Sequence, residues 1–152
     1  MAEALDPAIP ADIERLAQEV LQAACDRELM LATAESCTGG LLMESLTNTP
    51  GSASMFMGGI VCYSNDMKKK LLNVPEAYLE GNDAPGAVSP EVAEVLADQV
   101  RMIADSDFGL SVTGVAGPGY SERKPVGLVY IGIAERGCKT EVFELNLRGT
   151  RE

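Results

Sequence analysis

Apolar residues recur at helical spacing near the start of the chain, with polar residues between them. From Ala11 onward they follow an i, i+3, i+4, i+7 pattern, and they are Ile13, Leu16, Ala17, Val20, Leu21 and Ala24. This spacing places them on one face of an amphipathic helix, which we predict over residues 10–27. A second helix is predicted after Ser89-Pro90-Glu91, where a cap, a proline and an acid mark a helix start. Its apolar stripe consists of Val92, Val95, Leu96, Val100 and Ile103.

Short apolar runs, separated by polar or Gly- and Pro-containing segments, predict the strands. They cover residues 29–33, 59–63, 108–112, 126–134 and 141–147. Two shorter helices are predicted between them. One covers residues 40–47, and the other starts at Asn65 as its N-cap and carries Met67, Leu71 and Leu72. Residues 75–87 contain two prolines and two glycines and are predicted to form a loop.

The order of these elements predicts the fold class. Helices alternate with strands over the first two thirds of the chain, and two strands then follow each other directly. This order is typical of an α/β fold, here a single three-layer α/β/α domain with a mixed central sheet that ends in a hairpin. The length of 152 residues suits one domain with its own core. We expect residues 1–10 to be a flexible N-terminal lead and residues 11–152 to form the domain.

Charge and hydropathy argue against two kinds of partner. The chain carries 12 basic and 23 acidic residues, a formal charge of −11 that would repel a nucleic-acid backbone. No apolar run approaches the ~20 residues needed to span a bilayer, so no membrane partner is expected. The N-terminus is acidic where a signal peptide would be basic, and the four cysteines are widely spaced. These features favour reduced thiols in a cytoplasmic protein.

The chain contains no histidine, which narrows the chemistry available to it. Ser-His-Asp and Cys-His hydrolases, histidine general bases and the commonest zinc sites are all excluded. Acid–base catalysis would have to use Lys, Tyr, Asp, Glu, Cys or water. We expect neither a metal nor a cofactor.

Three predicted junctions between a strand and the next segment have a composition that suits a ligand site. In the first, residues 34–40, Ser36 lies on a turn where its hydroxyl can project, or it merely caps the next helix. In the second, Lys68 would occupy the third helical position after Asn65. There the positive end of the helix dipole favours loss of its proton, and burial would have to complete the shift. The alternative is that Lys68 belongs to a solvated basic face with Lys69 and Lys70.

The third junction is the Gly-rich segment 113–119. Its glycines can expose backbone donors to an anion and Thr113 can add a hydroxyl, or the segment is simply a tight loop. It matches neither a P-loop nor a dinucleotide-binding motif. Cys37 has no histidine partner to activate it, so we interpret it as a buried small hydrophobe. Together the three junctions favour an amide or acyl hydrolase of Ser–Lys type, with loop N–H groups stabilising the oxyanion.

Six ordered blocks of residues resemble the CinA C-terminal domain family. They are residues 34–40, 50–52, Gly59 with 63–68, 86–89, 113–118 and 125–127, within a match over residues 11–152. The enzymatic members of that family are amidohydrolases that convert nicotinamide mononucleotide to nicotinate mononucleotide and ammonia. The resemblance implies that Ser36 is the nucleophile and Lys68 its base. Tyr63 would orient or shuttle a proton.

The resemblance also implies a set of substrate contacts and a partner. Thr113 would bind substrate or the oxyanion, and Arg151, in a Gly-x-Arg segment, would pair with the substrate phosphate. The full set expected to contact substrate is Thr38, Gly39, Gly40, Asn65, Thr113, Gly114, Gly117 and Arg151. The expected partner is therefore a small molecule, nicotinamide mononucleotide. A homodimer or higher homo-oligomer is also compatible with the sequence.

The chain departs from the family pattern at both ends. Members usually continue past that arginine into a final helix, whereas this sequence ends at Glu152. Longer CinA proteins have an N-terminal domain, so this chain resembles the stand-alone form. The missing helix favours an alternative interpretation, a non-catalytic module that binds a nucleotide or a protein in competence or the DNA damage response. The complete set of Ser36, Tyr63, Lys68 and Thr113 favours the enzyme.

Overall fold

The computed structural model describes residues 9–152 of the chain. The flexible lead predicted for residues 1–10 therefore lies outside the described residues except for Ile9, which is buried, and Pro10. The described helices are Ala11–Asp26 (α1), Leu41–Thr47 (α2), Asn65–Leu72 (α3), Glu76–Leu79 (α4) and Pro90–Ala104 (α5). The strands are Leu31–Glu35 (β1), Phe56–Val61 (β2), Phe108–Gly114 (β3), Leu128–Glu135 (β4) and Glu141–Asn146 (β5).

The strands form one mixed sheet with the order β2-β1-β3-β4-β5. β1 runs parallel to both β2 and β3, while β3, β4 and β5 pair antiparallel. All five residues of β1 are buried, as expected for a central parallel strand that is covered on both faces. In this register Glu35 pairs with Val61 on one side and with Val112 on the other. The carboxyl ends of β1, β2 and β3 therefore meet at one edge of the sheet.

α5 packs across one face of the sheet at very short range. A Cβ atom added at Gly109 would lie 2.2 Å from the Ala97 carbonyl oxygen, and one at Gly132 would lie 2.5 Å from the Ala93 carbonyl oxygen. Only glycine allows the helix backbone to approach the strands this closely. Ser111 completes the contact by donating a hydrogen bond to the Ala93 carbonyl oxygen. The core on this face includes Ala32, Ala34, Cys62, Leu72, Val92, Leu96 and Val100.

α1 and α2 lie on the opposite face, over β1 and β2. The buried side chains there are Ala17, Leu21, Ala24, Leu31, Leu46 and Phe56. The predicted amphipathic stripe of the first helix supplies three of them, which are Ala17, Leu21 and Ala24. Helices thus cover both faces of a mixed sheet, and the predicted α/β class with a single domain is confirmed.

Several predicted boundaries differ from the structure. β1 begins at Leu31 and not at residue 29, because the Met30 N–H donates to the Asp107 carboxylate and is held outside the ladder. β2 covers Phe56–Val61, not residues 59–63, and β4 begins at Leu128 and not at residue 126. The segment predicted to be a loop contains α4, a single turn that starts directly after Pro75. Pro75 is the N-cap residue of this helix, where its missing N–H costs no helical hydrogen bond.

Candidate active site

Ser36 lies directly after β1, in the turn that leads to α2. Its backbone N–H donates to the Val112 carbonyl oxygen at 3.0 Å, and its own carbonyl oxygen accepts the Gly39 N–H at 3.1 Å. The residue is 8% exposed. The turn is thereby held by the neighbouring strand on one side and by its own hydrogen bond on the other. The Ser36 hydroxyl lies at the floor of a cavity at the carboxyl edge of the sheet.

Lys68 enters the same cavity from α3. The prediction that Asn65 caps this helix is wrong, because the Ser64 hydroxyl accepts the Met67 N–H and Asn65 is the first helical residue. Lys68 therefore occupies the fourth helical position and not the third. Side chains on a helix lean toward its N-terminus, which directs Lys68 toward the backbone that precedes α3. The side chain is buried, with 1% of its surface exposed, so the solvated basic face is wrong for this residue.

The Lys68 amine has three neighbours at hydrogen-bond distance. Nζ lies 2.9 Å from the Cys62 carbonyl oxygen, 3.0 Å from the Tyr63 carbonyl oxygen and 3.0 Å from Ser36 Oγ. Carbonyl oxygens only accept hydrogen bonds, whereas a hydroxyl can donate or accept. A neutral amine would therefore give its two N–H bonds to the carbonyls and direct its lone pair at the Ser36 hydroxyl.

Burial lowers the pKa of Lys68 below its ordinary value, and this is the largest influence on the group. The negative charges of Cys62, Glu122 and Cys37, where present, act in the opposite direction and raise the pKa. Desolvation disfavours the ammonium form because the charge loses its water. The site thus promotes the uncharged amine that a general base requires.

Glu35 holds the turn that carries Ser36. Its side chain is 0% exposed, and its carboxylate accepts hydrogen bonds from the Thr38 hydroxyl at 2.7 Å and from the N–H groups of Leu42 and Met43, both at 2.9 Å. The Gly40 N–H adds a longer bond of 3.2 Å. These are donors at the start of α2, where backbone N–H groups have no partner within the helix. The carboxylate satisfies them and fixes the helix relative to β1.

The Gly-rich segment forms the opposite wall of the cavity. Thr113 is buried at the end of β3, and its hydroxyl donates to the Ala87 carbonyl oxygen at 2.8 Å. Within residues 9–152, the N–H groups of Cys37, Ala116 and Gly117 donate to no backbone carbonyl, and all three residues line the cavity. They are therefore candidate donors for a negatively charged oxygen in the cavity.

Arg151 crosses the mouth of the cavity. Its guanidinium donates to the Gly117 carbonyl oxygen at 2.7 Å and to the Tyr63 hydroxyl at 3.0 Å. Tyr63 is 64% exposed, so its phenol lies at the rim while its backbone carbonyl contacts Lys68. The C-terminal segment is thereby connected to both walls of the site.

The cavity has a volume of about 390 Å³, within the ~300–1,000 Å³ typical of small-molecule sites. It brings together most of the residues predicted from the sequence, namely Ser36, Tyr63, Asn65, Lys68, Thr113, Gly114, Gly117 and Arg151. Gly39 and Gly40 lie outside it, where both have a positive φ in the turn before α2. Thr38 also lies outside this cavity, bound to Glu35, and lines the adjoining cavity beneath the C-terminal segment.

Cys37, which directly follows Ser36, is not activated. Burial raises the pKa of the Cys37 thiol, and this outweighs the opposing effects of nearby N–H groups and Lys68. A thiol that keeps its proton is a poor nucleophile. Among the described residues no group of three or more His, Cys, Asp or Glu side chains could hold a metal ion. No helix among residues 9–152 is both long and apolar enough to cross a membrane.

Two carboxylates at the site, Glu35 and Glu122, are not among the residues predicted from the sequence. Glu35 belongs to the first of the three predicted junctions, and Glu122 lies on a turn that follows the Gly-rich segment. Glu122 lines the cavity and accepts hydrogen bonds from the Ala87 N–H at 2.9 Å and the Val88 N–H at 3.2 Å. Most of their partners are backbone N–H groups. The one available signal was an acid directly before a Ser-Cys-Thr-Gly-Gly turn.

Comparison with known proteins gives consistent matches along nearly the whole chain. Residues 13–152 match the model of the CinA C-terminal domain. A competence-damage inducible protein of Caldanaerobacter subterraneus is 50% identical over 142 residues, which cover 93% of this chain and 34% of that protein. A protein of the same name from Moorella thermoacetica is 54% identical over 127 residues, covering 83% of this chain and 30% of that one. The chain therefore spans about a third of the length of these curated relatives.

Solved structures with similar folds carry related names. The competence/damage inducible protein CihA from Agrobacterium tumefaciens is 37% identical with a TM-score of 0.85, and the match covers 93% of this chain and 84% of that one. The competence damage-inducible protein A (ComA) from Klebsiella pneumoniae is 31% identical with a TM-score of 0.86, over 91% and 84% of the two chains. Both proteins share more than 30% of their residues with this chain, so they resemble it in sequence as well as in the arrangement of helices and strands.

Proposed function

Because the chain belongs to the CinA C-terminal domain family, we propose that it hydrolyses the carboxamide of nicotinamide mononucleotide to give nicotinate mononucleotide and ammonia. Such a reaction would serve the salvage of pyridine nucleotides. The four cysteines are free thiols, which suits the reducing cytoplasm expected from the sequence.

The contact between Lys68 and Ser36 carries this proposal. An alcohol is a weak nucleophile unless a neighbouring base removes its proton, and this chain has no histidine to do so. Nζ lies 3.0 Å from Oγ, within reach for direct proton transfer. The two backbone carbonyls fix the amine in the orientation that this transfer needs.

The reaction follows from these contacts with no cofactor. The lone pair of Lys68 takes the Ser36 proton as Oγ attacks the amide carbon, and the N–H groups of Cys37, Ala116 and Gly117 stabilise the tetrahedral oxyanion. The C–N bond then breaks, and the Lys68 ammonium gives its proton to the departing nitrogen, which leaves as ammonia. Water attacks the acyl ester, Lys68 takes its proton, and Oγ regains a proton from Lys68 as the carboxylate leaves.

Arg151 supports an anionic substrate. Its guanidinium is held at the mouth of the cavity by a carbonyl and a phenol, neither of which neutralises its charge. A planar guanidinium binds phosphate through two parallel hydrogen bonds. The substrate would therefore place its amide over Ser36 and its phosphate at Arg151.

The test is ammonia release from nicotinamide mononucleotide by the purified chain, with Ser36→Ala as the diagnostic variant. Loss of the nucleophile should lower kcat by at least about 10³-fold, as seen when hydrolases lose their nucleophile. Binding of the substrate to Ser36→Ala, measured by calorimetry, should persist. Ser54→Ala, an exposed serine in the turn before β2, is the matched control and should keep full activity.

Two results would reject the proposal. Full activity of Ser36→Ala would exclude the Ser–Lys mechanism. Binding of the nucleotide without any ammonia release by the unaltered chain would favour a non-catalytic binding module. That reading would also suit the competence and damage names of the relatives.

A further inference from the structure

A tight turn at residues 121–124 forms part of the cavity wall and presents Glu122 to the ligand space. Ser121 and Lys124 bridge the turn, and Glu122 and Arg123 both have a positive φ, 53° and 64°. The backbone here is strained for residues with side chains, so the surrounding contacts must hold it in place. Those contacts are the two N–H bonds from Ala87 and Val88 to the Glu122 carboxylate.

Lys124 anchors the same turn from behind the carboxylate. Its ammonium donates to the carbonyl oxygens of Pro85 and Val88 and lies 3.5 Å from Glu122 Oε2. Lys124 does not line the cavity, whereas Glu122 does and keeps 29% of its side chain exposed. A carboxylate accepts about four hydrogen bonds, and two of them come from the N–H groups of Ala87 and Val88, while Lys124 adds an ion pair. The face toward the cavity is thus available to a ligand.

The cavity lining therefore has two separated charges of opposite sign. Arg151 is positive and donates to neutral oxygens, and within residues 9–152 it makes no ion pair with Glu122. Lys68 is the other amine or guanidine in the lining, and its burial favours the neutral form. Such a lining is complementary to a ligand that has an anionic group and a cationic group at different ends.

Glu122 lies on the Ser36 side of this arrangement. It accepts the Ala87 N–H, the Ala87 carbonyl oxygen accepts the Thr113 hydroxyl, and the carbonyl oxygen of the preceding Val112 accepts the Ser36 N–H. The negative charge of Glu122 acts on Lys68, raising the pKa of the amine against the effect of burial, so the two groups are electrostatically coupled. A carboxamide attacked by Ser36 must lie at this same end. The ring that carries the carboxamide would then lie beside Glu122, while the phosphate would lie toward Arg151.

We propose that Glu122 is a specificity-determining residue that selects the positively charged pyridinium ring, so that the oxidised nucleotide is bound in preference to its neutral 1,4-dihydro form. This inference rests on the proposed function, since it assumes a pyridine nucleotide in the cavity. The oxidised and dihydro forms share the phosphate, the ribose and the carboxamide. Only the ring charge distinguishes them to a first approximation, and Glu122 is the carboxylate in the lining that can sense it.

The test compares both forms of the nucleotide on two enzymes. We expect Glu122→Gln to lower kcat/KM for oxidised nicotinamide mononucleotide by about tenfold, as loss of a short-range charge pair would, and to leave kcat/KM for the dihydro form nearly unchanged. For each substrate, kcat/KM of the variant is divided by kcat/KM of the unaltered chain. The intrinsic difference in reactivity between the two amides cancels in this ratio. Glu122→Asp should restore part of the preference. Glu141→Gln, an exposed glutamate at the far end of β5, is the matched control and should leave both values unchanged.

Binding of both nucleotides to Ser36→Ala is a second measurement. It keeps Glu122 unchanged, so it does not depend on whether a Glu122 variant folds, and it needs no turnover. Calorimetry should give a dissociation constant about tenfold lower for the oxidised form than for the dihydro form. Equal affinities, or an equal fall for both substrates in Glu122→Gln, would overturn the selection and leave Glu122 with a purely structural role. If the unaltered chain released no ammonia yet Ser36→Ala still preferred the oxidised form, the proposed reaction would fail and the selection would stand. Failure to bind either form would overturn both.

Discussion

Lys68 is a buried lysine whose amine contacts the Ser36 hydroxyl. A buried ammonium without a carboxylate partner would lose its hydration, a penalty of several kcal/mol in a protein interior. The amine instead contacts two carbonyls and one hydroxyl, a set of partners that suits an uncharged nitrogen. Among the described side chains with almost no exposure it is the largest. A purely structural position would be filled more favourably by leucine or methionine.

The pH dependence of activity should follow from this burial. Below the pKa of Lys68 the protonated amine cannot accept the Ser36 proton, so kcat/KM should fall as pH falls through that value. Because burial lowers the pKa, the fall should occur below the ordinary lysine value of 10.5. The measurement is the pH profile of kcat/KM for nicotinamide mononucleotide.

Two variants of α3 make the assignment specific. Lys68→Arg, whose guanidinium stays protonated, should be inactive at every pH. Lys70→Arg, an exposed position on the same helix, should keep the profile of the unaltered enzyme. An acid limb that persists unchanged in an active Lys68→Arg would assign the titration to another group.

The sequence predicts the reactive side chains of the site but not the groups that hold them in position. Ser36 and Lys68 are predictable as site residues because each lies at a junction between a strand and a helix. The lack of histidine leaves lysine as a candidate base. The contacts of Lys68 with the carbonyl oxygens of Cys62 and Tyr63 are not predictable from the sequence. Every residue has a carbonyl group, and only the fold determines which two lie beside the amine. Glu122 was missed for a related reason, because its partners lie 34 and 35 residues away.

Glu35 operates at the scale of elements, where it connects β1 to α2. α2 has only seven residues, too short to be stable without tertiary contacts. Its N-cap position is Gly40, which has no side chain to offer as a cap. The buried carboxylate of Glu35 supplies the acceptors from the preceding strand. The position of Ser36 between these two elements therefore depends on the residue before it.

Replacing Glu35 with glutamine should destabilise the protein by about 2 kcal/mol. The amide keeps the shape but directs an N–H₂ group toward N–H donors, which leaves buried donors without acceptors at ~1–3 kcal/mol. Chemical denaturation should show a lower midpoint with an unchanged slope. Glu44→Gln, on the exposed side of α2, is the matched control and should change stability by less than about 0.5 kcal/mol. A Glu35→Gln variant as stable as the parent would show that water or a rearranged α2 satisfies these donors.

The long elements were predictable and the short ones were not. α1 and α5 have 16 and 15 residues, enough turns for an apolar stripe to be unmistakable, and Ser89 caps α5 as predicted. β1 and β2 were displaced by two or three residues because several apolar residues extend past each strand, and periodicity cannot place the ends of a fully buried strand. The cap of α3 was displaced by one residue because Ser64 and Asn65 are both good caps.

At the scale of the whole molecule, the distribution of charge matters more than its sum. The formal charge of −11 would repel an anionic substrate at long range. Several cations are consumed by local ion pairs, namely Arg15, Lys69, Lys124 and Arg136. Arg148 and Arg151 instead lie on the C-terminal segment beside the site, lining the cavity that adjoins it. The fold thus places guanidinium groups where a phosphate would enter.

The same distribution predicts that this chain does not bind DNA, although its relatives are named for competence and DNA damage. Affinity for a duplex comes mainly from several lysines or arginines that neutralise adjacent phosphates and release counterions. Here several of the described cations are paired with carboxylates, and the formal charge of −11 gives a negative field around the chain. Fluorescence anisotropy of a labelled duplex should therefore stay constant up to about 10 μM protein at about 50 mM salt, well inside the range where non-specific binders respond.

Repeating the titration at several salt concentrations distinguishes a chain that does not bind DNA from the DNA-binding protein that the relatives' names suggest. A DNA-binding surface would give a signal at about 50 mM salt that weakens steeply by about 200 mM, with a slope set by the number of phosphates contacted. Arg151→Glu on the same titration would weaken such binding if the site rim were responsible. A signal of that kind in the unaltered chain would contradict the prediction and would require a cluster of unpaired cations on one face. The pairing of Lys69 with Glu80 and of Arg136 with Asp105 opposes such a cluster, so the negative result follows from where the charges lie and not only from their number.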